Sequence, residues 1–232
     1  MQIIINNNKV LCFSICFLFL TIFGTLHHEL GHIITAKILK YNTVLHYSSM
    51  EWNNDFKEKV MEFYLKNQSI IEERKSFPNS HQYYKNLDKI EHDEYLIVLG
   101  GVFFTVITAS SSFFLLALHK KNLKKIPFWS LVFLSMFWSR QIFNLLKGVL
   151  QFFLKKSNSF FWGDEQKLSA YLNLYNGTFS MLLGLLGIII VAFILFKIIP
   201  SKDRFSFTIA AFSGSLLGYF LWMIVLGPLI LP

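Results

Sequence analysis

The sequence predicts an all-α, polytopic membrane helix bundle of about five transmembrane helices with a short helical extramembrane insert. Three observations carry this. Of the 232 residues, 53% are hydrophobic and 26 are Phe, far above what a soluble domain of this length needs for its core. Mean hydropathy is +0.45. Several apolar runs reach about 20 residues, the length that crosses a bilayer as a helix. The net charge of +8, from 22 Lys and Arg against 14 acids, collects beside those runs and reads as anchoring at the lipid surface. Nucleic-acid binding would need a basic soluble domain, and none is visible. Cys12 and Cys16 share one face of the first run and read as small hydrophobes.

The first span is predicted over residues 10–40. Lys9 followed by Val10 to Phe23 resembles the start of a signal peptide. No small-x-small cleavage site follows, and the apolar pattern runs on, so we expect a retained span. Within it lies His27-His28-Glu29-Leu30-Gly31-His32. His28 and His32 are four residues apart, so a helix projects both imidazoles from one face, a spacing that can hold one Zn²⁺. Glu29 lies beside them as the expected general base. His27 has Gly31 four residues on and no such partner. Ionisable groups inside a membrane run are costly and usually functional. The pair lies about 27 Å along the helix from Val10, near the exit face, here called side B.

Residues 41–92 form the polar insert, with seven Lys/Arg against eight Asp/Glu. A helix is predicted over residues 54–75, turning Phe56, Val60, Phe63 and Tyr64 to one face. The second span is expected over residues 93–118, returning the chain to side A. Its Gly100-Gly101 suggests close helix packing. The third is expected over residues 128–154, with a polar stripe of Arg140, Asn144, Lys147, Gln151 and Lys155 at spacings of three and four. A break near Ser139 followed by an interfacial amphipathic helix is the competing form. Residues 155–176 are expected to be a loop and short helix beginning at Asp164, with Phe160, Phe161 and Trp162 before it. Spans over residues 178–199 and 205–231 complete the chain. Ala210, Gly214 and Gly218 recur every four residues as a packing face.

A catalytic zinc takes three protein ligands and keeps one position open. Topology limits the third ligand to side B: Asp164, Glu165, Glu91, His92, Asp93, Glu94, or His46 if the insert folds back. Asp164 is favoured because Gly163 gives the backbone freedom and the aromatic triplet can hold the turn at membrane depth. Glu165 and Glu94 are the principal alternatives. Asp164 is also a good helix N-cap, a purely structural role. Asn144 or Arg140 is expected to stabilise an oxyanion.

His28-Glu29-Leu30-Gly31-His32 resembles the H-E-x-G-H motif of the site-2 protease family, the zinc intramembrane metalloproteases, in particular the divergent, minimal members found in bacteria. That family's next span carries G-P-x-x-N, where this chain has Gly101-Val102-Phe103-Phe104-Thr105. Its N-x-x-P corresponds to Asn144-Leu145-Leu146-Lys147, without the proline. Its L-D-G, which carries the third ligand, corresponds to Asp164, preceded by Gly163 and followed by Glu165. The resemblance covers residues from about 10 to 175. It implies one Zn²⁺ per chain and hydrolysis of membrane-embedded protein substrates, in a multi-pass protein of the bacterial inner membrane with its site nearer the cytosol. The short-loop lysine count instead favours side A as cytosolic. Two rival functions are a non-catalytic relative that binds a partner span, and a prenyl-protease-like membrane metalloprotease with a Glu as third ligand. A di-iron desaturase would need many more intramembrane histidines.

Overall fold

The computed structural model describes residues 5–73, 75–155 and 163–231, with the side chains of Phe152 and Lys155 set aside. It is an all-α bundle in which four helices are long and apolar enough to cross a membrane. The first, α1 (Asn7–Ile38), is capped by the Asn6 side chain, which accepts from the Lys9 amide. A small antiparallel hairpin follows, β1 (Asn42–Leu45) paired with β2 (Met50–Asn53). Helix α2 (Asp55–Glu72) then begins behind an Asn54 cap. Val60 of α2 is buried with Phe77 and Tyr83, and Phe56, Phe63 and Tyr64 pack around them.

Helix α3 (Ser80–His119) is the longest. It starts 13 residues before the predicted second span, because the same continuous helix rises out of the insert before entering the apolar zone. The predicted third span is two helices, α4 (Lys125–Ser135) and α5 (Trp138–Lys155). No proline or glycine marks the break. The chain tightens there into i→i−3 bonds, from Phe137 N–H to Leu134 O, Ser139 N–H to Met136 O, and Arg140 N–H to Phe137 O. Such tightening locally redirects a helix. Packing holds it: the Phe137 ring fits against Gly24, and Trp138 lies against Gly187.

The rest is α6 (Asp164–Tyr171), α7 (Thr178–Phe193) with a π-turn over Ile194–Ile198, and α8 (Ser201–Phe220), which continues as a π-turn over Leu221–Leu226 and a short α9 (Gly227–Ile230). Gly214 and Gly218 of α8 meet the backbone of Ser14 and Leu18, where a Cβ would collide. Phe13, Phe17, Val132, Ile194 and Phe207 form the main core at the side A end.

The hairpin was not foreseen from the sequence. Its strands are four residues each, and its loop lacks the Asn-Gly or Asp-Gly pair that announces a tight turn. Distant contacts hold it instead. The Tyr47 N–H donates to Leu231 O, and Trp222 Nε1–H donates to Tyr47 O.

Candidate metal centre

The site lies where α1 crosses α3. A Cβ on Gly31 would stand 2.6 Å from the Gly100 carbonyl oxygen and 2.9 Å from the Gly101 Cα, so the two backbones touch only because these positions are glycine. A Cβ on Gly101 would run into the His32 imidazole. The Gly100-Gly101 pair thus provides the space that ring occupies.

Both histidines are buried, with 0% and 6% of their surface exposed. Their Nδ1 atoms are committed to α3. His32 Nδ1 lies 2.7 Å from the Ile97 carbonyl oxygen, which can only accept. His28 Nδ1 lies 3.0 Å from Thr105 Oγ1. That hydroxyl donates its own hydrogen to Gly101 O at 3.1 Å, so it accepts from the imidazole. Each ring therefore carries a proton on Nδ1 and turns its Nε2 into the site, where it can meet a metal ion once that nitrogen is unprotonated.

The two Nε2 atoms are 3.2 Å apart. Asp164 Oδ2 is 2.7 Å from His28 Nε2 and 3.4 Å from His32 Nε2. Three polar atoms converge, and their mutual repulsion is relieved either by a proton shared between a histidine Nε2 and Asp164 or by a metal ion at their centre. Ligand atoms about 2.1 Å from one tetrahedral zinc lie about 3.4 Å from each other. The observed separations fit this set, tighter on the Asp164 side. Two imidazoles and a carboxylate, each imidazole held by an outer hydrogen bond, are a donor set that suits Zn²⁺.

Gly163 has φ +99°, and α6 begins behind it without a side-chain cap. Asp164 is the first residue of that helix and not its cap. Its carboxylate goes to the histidines instead. The Glu29 carboxylate is within 4.8 Å of the histidine ligand atoms. It is buried, and among the described residues nothing hydrogen-bonds to it. Either acid is close enough to complete a three-residue set. The Asp164 carboxylate stands at the shorter distances from the two Nε2 atoms, and Glu29 lies beside the set.

Other expected residues lie elsewhere. Glu165, an alternative ligand, turns away from the histidines, and Asn144 Nδ2 donates to its Oε1 at 2.9 Å. This corrects the expectation for Glu165, which is bonded to Asn144 and not to the histidine pair, while Asn144 gives one of its two amide hydrogens to Glu165. Glu94 is also corrected, since it pairs with Lys167 Nζ at 2.7 Å on the surface. Asp93 accepts from Tyr41 Oη at 2.7 Å, His92 bonds Tyr171 Oη, and His46 Nε2 is 3.6 Å from Glu51. Glu91 is exposed on α3. Arg140 acts electrostatically on His28, Glu29 and Glu165, and its Nε is buried with no partner among the described residues. His27 stacks on Phe104 with ring centroids 4.6 Å apart, outside the converging set. Phe160, Phe161 and Trp162 lie outside the described residues.

Thr105 and the Ile97 carbonyl are the site groups that sequence reasoning missed. Thr105 was legible as a small polar residue in a span, standing where the resembling family has Asn, but not as the partner of His28. Comparison with protein-family models, curated proteins and solved structures returns no match to this chain.

Proposed function

We propose that the protein is a zinc-dependent intramembrane metalloprotease of the site-2 type that hydrolyses peptide bonds in membrane-embedded segments, in a bacterial inner membrane. The observation that carries this is the convergence of His28 Nε2, His32 Nε2 and Asp164 Oδ2 beside an unpaired Glu29, on a helix long and apolar enough to cross a bilayer.

His28, His32 and Asp164 would hold the metal. Zn²⁺ bound there supplies a water acidic enough to ionise near neutral pH and polarises a carbonyl. Every other task falls to the chain. Glu29 takes the proton from the attacking water and returns it to the leaving amine. Arg140 places a positive charge beside the site, where a tetrahedral oxyanion develops. Burial of the histidines keeps bulk water out and strengthens both interactions. A substrate helix hides its own peptide bonds in hydrogen bonds, so it must unwind locally, and substrates with helix-breaking residues are favoured.

The test is Glu29→Gln in purified protein with a membrane-embedded reporter substrate. Zinc should remain at about one per chain while cleavage is lost. Cleavage at the wild-type rate would overturn the mechanism. Zinc retained in a His28→Ala/His32→Ala double variant would overturn the site.

A further inference from the structure

We propose that Glu165 and Asn144 form a latch that positions Asp164, so that metal affinity is set partly by a hydrogen bond that touches no metal. The proposal rests on the metal-site reading above. Asp164 and Glu165 are the first two residues of α6, and consecutive helical side chains point about 100° apart. Asp164 reaches α1 and Glu165 reaches α5. The N-terminal turn of α6 therefore bridges the two helices, and its rotation decides whether Asp164 meets the histidines.

Glu165 is deeply buried, with 2% of its surface exposed. A buried carboxylate is costly without partners. Here Asn144 donates to Oε1 at 2.9 Å, and the Arg140 guanidinium lies near enough to attract it. This is an expensive group for a structural turn, at a position where glycine would suffice for the backbone. The far end of α6 is docked separately. Leu168 is buried against Val98 and Val102, and Tyr171 stacks on Tyr95 with centroids 4.2 Å apart. Ser169 Oγ donates to the Glu165 carbonyl and accepts from the Phe179 N–H. The C-terminal contacts fix where α6 sits. The Glu165–Asn144 bond adds a direct tether from α5 to the first turn, the turn that carries Asp164.

Zinc affinity of the purified full-length chain separates this from a purely structural role. Glu165→Ala and Asn144→Ala should each weaken zinc binding about tenfold or more, the range seen for outer-shell partners. The double variant should be little worse than either single one, because both remove the same bond. Glu165→Gln keeps the accepting oxygen and should stay near wild type. Wild-type affinity in Glu165→Ala would overturn the latch. So would a Glu165→Gln variant as weak as Glu165→Ala beside an unaffected Asn144→Ala, since that pattern makes the carboxylate itself a ligand. A second measurement needs neither metal nor proteolysis. With Cys12 and Cys16 replaced, Asp164→Cys in the metal-free chain should react several-fold faster with a water-soluble thiol reagent when Glu165→Ala is added. An unchanged rate overturns the latch even if the wild-type chain binds no zinc, whereas absent zinc with an increased rate overturns only the metal reading.

Discussion

Thr105 holds His28 in the tautomer that a metal ligand needs. Its hydroxyl hydrogen is spent on the Gly101 carbonyl, which leaves its oxygen to accept from His28 Nδ1. Valine has nearly the same shape and no acceptor, so Thr105→Val should leave the fold intact and let the ring change tautomer or rotate. We expect zinc affinity to fall about 10–100-fold, read by competition with a chromophoric chelator. An unchanged affinity would mean that Thr105 does not orient the ring. His28, Glu29 and His32 were legible in the sequence because their relation is local: residues one turn apart share a helix face whatever the rest of the chain does. Thr105 was not, because its role depends on the register between α1 and α3. Asp164 lies between these cases. Gly163 and side B topology brought it forward, but distinguishing it from Glu165 required knowing how the first turn of α6 is rotated.

At the scale of elements, α1 and α3 are fastened beyond the site itself. To the glycine crossing and the histidine hydrogen bonds is added a bond from Tyr41, just past the end of α1, to Asp93 Oδ2. Both residues are buried. Tyr41 also packs edge-on against Trp52 of β2, with centroids 4.8 Å apart, which ties the hairpin to the same junction. Burial, and then the adjacent Asp93 carboxylate, pushes the Tyr41 phenol above its ordinary value. A raised folded-state value means a contribution fully present below the unfolded tyrosine value of about 10, and lost as pH rises above it. Tyr41→Phe should therefore cost about 1–3 kcal/mol near neutral pH, because a buried carboxylate loses its donor. The variant should also lack the alkaline loss that this phenol contributes. Thermal unfolding of the detergent-solubilised protein from neutral pH to above 10 reads both effects, and coincident curves for the two proteins would refute the coupling. The hairpin illustrates why elements can escape a sequence reading. Strands this short have little pattern of their own, and a tyrosine and a tryptophan far apart in the chain place this one.

For the whole molecule, contacts between helix ends divide the bundle into two ends. Lys9 bonds Asp203 at the start of α8, and Lys120 at the end of α3 bonds the Lys197 carbonyl at the end of α7. These groups define side A. Tyr47 of the hairpin meets Leu231 at the far end of the chain, and α6 meets the upper part of α3 through Lys167–Glu94. These define side B. The chain thus leaves α3 at the side A end of the bundle and enters α7 at the side B end, so α4 and α5 together run from one end to the other. Neither is long and apolar enough to be a span by itself, and the five-crossing expectation rests on the two acting jointly across the Met136–Phe137 turn. The break has a consequence for the site, since it directs Arg140 and Asn144 inward at the level of Asp164 and Glu165. This topology predicts the labelling of single cysteines by a membrane-impermeant thiol reagent, in vesicles of known orientation and with Cys12 and Cys16 replaced. Asn122→Cys, in the exposed turn between α3 and α4, should label from one face. Glu62→Cys on α2 and Ala170→Cys on α6 should label from the other. If residues 122 and 170 label from the same face, α4 and α5 do not cross. Asp164 would then approach the histidines from the wrong side of the membrane, and both the five-crossing bundle and the metal centre built on it would fail together.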